Sequence, residues 1–395
     1  MRQVYLDHGA ATRLLPEALE AMRPFLTEDF GAPSSFHRLG LRARDALDRA
    51  REQIASFVNA ESPEEIIFTS DGTESANLAL KGAAWANERR GKHLIVGAAE
   101  HPSVLNAVAF LEQRGFFCTR IGTDAEGVVD PAEIRAALRE ETTLIAVQHV
   151  NPDIGTVQRV EEIAEIAAER GIAFYIDADA SVGWLPLDAR KLGAGLLSFS
   201  AQRFYGPKGV GVLYRNRRIR VDPILHGGDQ EGGRRAGLEN VAGIVGAGVA
   251  AEAAGREFGA RRNQAQALQS QLWRGLQDGI ARLRLNGPPP GPGRSPTNLN
   301  ISFEGIEGEG LALLCDMHGI AIGAGTACLS KSMRIPAALQ AIGLDAALAR
   351  AAVIFSLGRE NTADEMEHVI GTLPKLVDQL RQISPSWPEG NRTSQ

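Results

Sequence analysis

The sequence predicts an α/β protein, with a mostly parallel sheet covered by helices on both faces and a smaller α+β unit after it. Three observations carry that expectation. Strand-length apolar runs alternate with amphipathic helical stretches up to about residue 250, and strand, helix, strand in succession favours parallel pairing. Beyond that point the alternation gives way to a long helix, a Pro/Gly loop, one alternating strand and late helices. Apolar residues make up 44% of the 395 positions, enough for a sizeable core.

The elements follow in order. Residues 1–14 read as an N-terminal segment that packs with the small unit, and 15–250 as the large unit. Within it, Glu65–Thr69, His93–Val96, Thr143–Val147 and Ala173–Asp177 are apolar runs of strand length. Pro131 suits the first turn of a helix with Asp130 as its N-cap. Val160 to Arg170 sets Ile163, Ile166 and Ala167 on one face and its glutamates elsewhere, a helix signature. A second unit spans 251–383. An Ala/Arg/Gln-rich helix is expected from Ala250 to Arg284, then a loop at Asn286–Gly293. Thr297–Phe303 alternates as a strand, and helices are expected near Pro336–Ile342 and over Ala363–Ile383. The polar residues 384–395 read as a loose tail.

Composition narrows the function. The formal charge is −6, with both signs interspersed and no basic stripe, which argues against a nucleic-acid partner. No run of about 18 apolar residues offers a membrane span. The first residues lack the apolar stretch of a signal peptide. Three scattered cysteines, Cys118, Cys315 and Cys328, fit a reducing cytoplasm. No His/Cys spacing points to a metal.

Several segments carry more specific information. Gly72-Thr73-Glu74 follows a strand and opens a helix, which makes either a phosphate cradle or a simple helix cap. Asp177 ends an apolar strand, and His101 follows Glu100 at another strand end. Cys328 lies among Gly325, Thr326 and Ser330, a loop composition that favours an exposed thiol over a core one. Cys118 and Cys315 sit in apolar patterns and read as core.

Taken in order, Tyr5-Leu6-Asp7, Gly72-Thr73-Glu74-Ser75, Glu100-His101, His149-Val150-Asn151, Asp177-Ala178, Ser198-Phe199-Ser200, Tyr205-Gly206-Pro207-Lys208-Gly209, His226-Gly227-Gly228, Thr326-Ala327-Cys328 and Phe355-Ser356-Leu357-Gly358-Arg359 resemble the cysteine desulfurases. Those are class V, fold-type I enzymes that use pyridoxal 5'-phosphate (PLP). The resemblance covers nearly the whole chain. It implies a fold-type I PLP-transferase-like fold and a homodimer with composite active sites. It assigns Gly72, Thr73 and Ser200 to the cofactor phosphate, Asp177 to the pyridine nitrogen, and His101 to stacking and proton transfer. Cys328 would take sulfur from bound cysteine as a persulfide.

The same resemblance places a Schiff-base lysine where this chain has Arg203. A guanidinium stays protonated and cannot supply that amine, although it can pair with an anion. Gln202 stands for a phosphate-contacting histidine, Ala180 for a glutamine, Pro152 for an asparagine and Leu238 for a threonine reaching from the other subunit. Asp71 replaces a glycine of the phosphate loop, and Ile354 the arginine that grips the substrate carboxylate. Each lost hydrogen bond to an anionic ligand costs about 1.5–3 kcal/mol.

Three readings stay open on the residues alone. One is a PLP-dependent desulfurase, or a related C–S lyase, with an altered site. Another is a non-catalytic homologue acting as a sulfur carrier or scaffold, with a sulfur-acceptor or desulfurase partner. The third is different chemistry in the same cleft.

Overall fold

The structure, a computed structural model, describes residues 3–324, 335–385 and 387. Its strands are β1 (Val4–Leu6), β2 (Ile66–Thr69), β3 (His93–Gly97), β4 (Phe117–Ile121), β5 (Thr142–Gln148) and β6 (Ala173–Asp177). They continue as β7 (Leu196–Ser200), β8 (Gly211–Arg215), β9 (Leu283–Asn286), β10 (Asn298–Phe303), β11 (Ile320–Ala324) and β12 (Ala352–Ser356). Seven form one sheet in the order β2-β8-β7-β6-β5-β3-β4. The pairs from β4 through β3, β5 and β6 to β7 are parallel, and β8 joins β7 and β2 antiparallel.

The central strands β5, β6 and β7 are buried along their whole length, as a sheet covered on both faces requires. One apolar cluster, including Ile145, Phe174 and Phe199, packs one face. A second, including Leu144, Tyr175 and Leu196, packs the other. Alternate residues of the same strands thus feed opposite cores. Register sets Gln148 beside Asp177, and Asp177 beside Ser198. The carboxyl ends of three neighbouring strands therefore open onto one place, the usual ligand crevice of such sheets.

The remaining strands form a five-stranded sheet in the order β1-β11-β12-β10-β9. Its core includes Leu299, Ile301, Phe303, Val353 and Phe355. β1 pairs parallel with β11, which ties the chain's beginning to this sheet.

The long helix differs from expectation. It spans Val241–Gly279, and Arg284 lies in β9. Its stretch Gly243–Gly248 is glycine-rich and a weak helix former, so propensity argues against it. Packing decides otherwise. At Gly248 an added Cβ would lie 2.9 Å from Ala50 Cα, so a side chain would force the two helices apart. Asn240 caps the start, its side chain accepting from Gly243 N at 3.1 Å. The first half of the helix buries Ala247, Ala250, Ala251 and Ala254 in the large core. The second half buries Leu268, Leu272 and Leu276 in the small one.

Other differences are smaller. Helices Gly308–Met317 and Ala346–Arg350 join those expected near the C-terminus. Cys315 is buried, but Cys118 is only half-buried because β4 is an edge strand. Trp387, within the segment read as a loose tail, is buried and lies under Arg381, 4.1 Å from guanidinium carbon to ring centre.

Candidate functional site

A cavity of about 370 Å³ opens at the carboxyl ends of β5, β6 and β7. It is lined by Asp71, Gly72, Thr73, His101, Pro152, Asp177, Ala180, Ser200, Gln202 and Arg203, all singled out from sequence. Gln148, Asp179 and Lys208, which had no assigned place in the pocket, also line it. Leu238 is 66% exposed and lies outside this lining. Ile354 sits on β12 opposite Asn300, likewise outside it. Cys328 lies outside the described residues.

The cavity's corner is built by helix Gly72–Ala86, which Asp71 caps, its carboxylate accepting from Glu74 N at 2.8 Å. Gly72 N donates to Ser200 Oγ at 2.9 Å, and Ser70 N to Glu74 Oε2 at 2.7 Å. Three N–H groups that an external anion could use are therefore already held by the chain's own oxygens.

Arg203 lies in the short turn after β7, and its Nε donates to Asp179 Oδ2 at 2.6 Å. Its Nη1 donates to the carbonyl of Gly9. The paired side chains are 18% and 22% exposed. Asp179 Oδ1 also accepts from Ser200 N at 2.7 Å. Burial works against the Arg203 charge, but Asp179, Asp177 and Asp7 outweigh it and hold the guanidinium more firmly protonated than usual. Burial also opposes the Asp179 charge. Arg203 and the donated hydrogen bonds overcome that penalty and keep its carboxyl below the ordinary value.

Asp177 also receives a backbone hydrogen bond and feels the Arg203 charge, but these do not outweigh the opposing effects. Burial, then repulsion from Asp179, pushes its carboxyl up to about 7. Asp179 N donates to Asp177 Oδ1 at 3.0 Å. Glu100 is fully buried and its carboxyl is raised well above the usual range, chiefly by desolvation. Gln148 N donates to Glu100 Oε1 at 3.1 Å. His101 caps the helix Pro102–Glu112, its Nδ1 accepting from Ser103 N at 3.2 Å. Burial lowers the His101 imidazole below its ordinary value, so it is largely neutral near pH 7.

The N-terminal segment closes one side. Thr12 Oγ1 donates to the Gln202 carbonyl, and Lys208 Nζ donates to the Thr12 carbonyl at 3.3 Å. With Arg203 and Gly9, these bonds stitch residues 9–12 to the turn after β7. Tyr205 holds that turn in a left-handed backbone conformation (φ 71°), and its hydroxyl accepts from Arg359 N at 2.7 Å.

Asp179 is a cleft residue that the sequence pattern does not single out. A signal was available: an extra acid in Asp177-Ala178-Asp179 and an extra permanent cation at Arg203. Read as two separate oddities, they hide their pairing.

Comparison with known proteins identifies the lineage. The sequence profile of the family "Aminotransferase class-V" matches residues 4–369. The chain is 44% identical to the cysteine desulfurase IscS of Dictyoglomus turgidum over 384 residues, 97% of each chain. It is 43% identical to the IscS of Methanosarcina thermophila, over 99% of this chain and 96% of that one. Among solved structures, a NifS-like protein superposes with a TM-score of 0.90 at 33% identity, over 96% of this chain and all of the other. A second, SspA in complex with cysteine, gives 0.78 at 34% identity, over 91% and 100%. The chain thus belongs to the class-V aminotransferase family, on its cysteine desulfurase branch. The cofactor of that family is PLP.

The cleft does not fit PLP as a tethered, phosphate-bearing group. Asp177 and His101 suit the ring. Where the family's phosphate would lie, however, Gly72 N and Ser200 N are already bonded within the chain, and Asp71 and Asp179 line the same cleft with carboxylates that would repel a dianion. At position 203 there is no amine. The lysine that does line the cleft, Lys208, points its ammonium at the Thr12 carbonyl. Among the described residues no cluster suits a metal ion, and no helix is long and apolar enough to cross a membrane.

Proposed function

We propose that this protein is a non-catalytic member of the cysteine desulfurase branch, one that does not tether PLP and acts as a sulfur acceptor or scaffold for a partner. The observation that carries this reading is Arg203, the counterpart of the family's Schiff-base lysine, locked by its Nε onto Asp179 at 2.6 Å. A permanently protonated guanidinium cannot condense with an aldehyde. The departures at Ala180, Pro152, Gln202, Leu238 and Ile354 support the same conclusion, since each removes a donor or charge expected toward cofactor or substrate.

In the acceptor form, the Cys328 thiolate attacks the outer sulfur of a donor persulfide. A new S–S bond forms, the donor's S–S bond breaks, and the donor leaves as thiolate, so charge and electrons balance. Cys118 and Cys315 do not suit that role, because burial raises their thiols to about 11 and about 12. A cytoplasmic homodimer completes the proposal. Phe36, 89% exposed, and Phe30, 69% exposed, are apolar side chains that an interface would cover.

The test is incubation of the purified protein with PLP, borohydride reduction and peptide mass mapping, alongside assay of alanine release from cysteine. No adduct and no alanine are expected. A PLP adduct on Lys208 or any other lysine of the cleft, with alanine release, would establish the active-enzyme reading instead. Persulfide transfer from an active desulfurase, present in wild type and lost in Cys328→Ala, separates carrier from scaffold.

A further inference from the structure

We propose that Asp179 is a built-in anion: its carboxylate occupies the seat in which this cleft would otherwise hold a small external oxyanion such as inorganic phosphate.

The seat is defined by its donors. Ser200 N reaches Asp179 Oδ1 at 2.7 Å, and Arg203 Nε reaches Oδ2 at 2.6 Å. The third side is the start of helix Gly72–Ala86, where an added Cβ on Gly72 would lie 3.0 Å from Asp179 Oδ1 and 2.8 Å from Ser200 Oγ. A backbone N–H and a guanidinium are the chemistry that binds oxyanions, while the neighbouring Gly72 N is already held by Ser200 Oγ. Here a side chain of the same protein fills the place.

The local backbone explains how it gets there. Asp179 lies two residues past the end of β6, and its own N–H donates to Asp177 Oδ1 at 3.0 Å. That bond fixes the turn, so the Asp179 side chain enters the cleft beside β7. Two carboxylates in one largely buried place repel, and Arg203 offsets that repulsion. Asp179 and Arg203 are therefore a matched pair.

The consequence reaches past the missing amine. The seat is closed to phosphate-bearing ligands by Asp179 whatever stands at position 203. The proposal shares the Arg203–Asp179 contact with the proposed function, but its test reads phosphate affinity and not a lysine adduct, so the two can fail separately.

The experiment uses the full chain and inorganic phosphate, with chloride matched for ionic strength. Melting temperature is followed across a phosphate titration for wild type, Asp179→Ala and the double variant Asp179→Ala/Arg203→Met. Wild type is expected to show no saturable phosphate effect. Asp179→Ala should gain one, at roughly tenfold or more tighter affinity, because one like charge at close range is removed. The double variant should lose that gain, since it lacks the guanidinium. Should Asp179→Ala not fold alone, the readout becomes its recovery on refolding, and a dependence on phosphate but not chloride supports the seat. Phosphate binding to wild type as tight as to Asp179→Ala, or no phosphate dependence of that variant in either format, overturns the proposal. None of these outcomes bears on the PLP-adduct test, which alone decides the tether.

Discussion

Arg203→Met is the sharpest perturbation, because it keeps most of the side chain's volume and removes only the cation. In wild type the pair is in contact at 2.6 Å, with side chains 18% and 22% exposed. Two unit charges about 4 Å apart attract by about 4 kcal/mol at an effective dielectric of 20. Desolvation takes back part of that. Breaking a fully buried pair from one side costs about 3–5 kcal/mol, and an exposed pair is worth under about 1 kcal/mol. This pair lies between, so a loss of about 2–3 kcal/mol is expected, together with the bond to the Gly9 carbonyl. Asp179→Asn should cost less, since it also relieves Asp177 of a repelling neighbour. The double variant closes the cycle, with a coupling of about 1.5–2.5 kcal/mol. Denaturant or thermal midpoints at pH 7 measure it. The pH dependence has a defined sign. The Asp179 carboxyl is depressed in the folded state, so its contribution is present above the ordinary carboxylate value of about 4 and fades as pH falls through the folded value. The Arg203→Met deficit should therefore shrink below about pH 4. Single-variant losses that simply add, within about 0.5 kcal/mol, would refute the pairing argument.

Three further outcomes are expected. Asp177 is raised to about 7, so its contribution is full at low pH and lost as pH rises through that value; Asp177→Asn should gain melting temperature relative to wild type between pH 5 and 8, and a constant difference would contradict the assignment. Arg203→Lys alone keeps an ammonium beside Asp179, which holds it protonated, so its PLP adduct should form about 10- to 1,000-fold more slowly than in Arg203→Lys/Asp179→Ala; equal rates in trapped-adduct mass analysis would remove Asp179 from the argument. Alkylation of the native protein by iodoacetamide at pH 7 should be lost in Cys328→Ala, because Cys118 and Cys315 are held as thiols; persistent labelling of either would count against Cys328 as the acceptor.

The limits of sequence reading show at particular residues. The apolar run Ala173–Asp177 and the long amphipathic helix Ala363–Ile383 were legible because burial writes a clear apolar pattern. The glycine-rich start of helix Val241–Gly279 was not, because close approach to a neighbouring helix leaves no local signature. The same division runs through the site. Thr73, His101, Asp177, Ser200 and Arg203 could be named in advance because each sits in a segment of recognisable order. The partners of those residues could not.

What the chain's own letters determined was the layered α/β architecture, its kinship, and the presence at position 203 of a cation that cannot lose its proton. What only the folded chain decided was the use of that cation. Arg203 meets Asp179 across 24 residues and Gly9 across 194, contacts that exist because β6 and β7 lie in register and β1 draws the N-terminal segment over their ends. Covalent order sets which charges a protein owns. Whether a charge is spent on a ligand or on another side chain is set by the distances that packing imposes, and at 2.6 Å the Arg203 charge is already paired with Asp179.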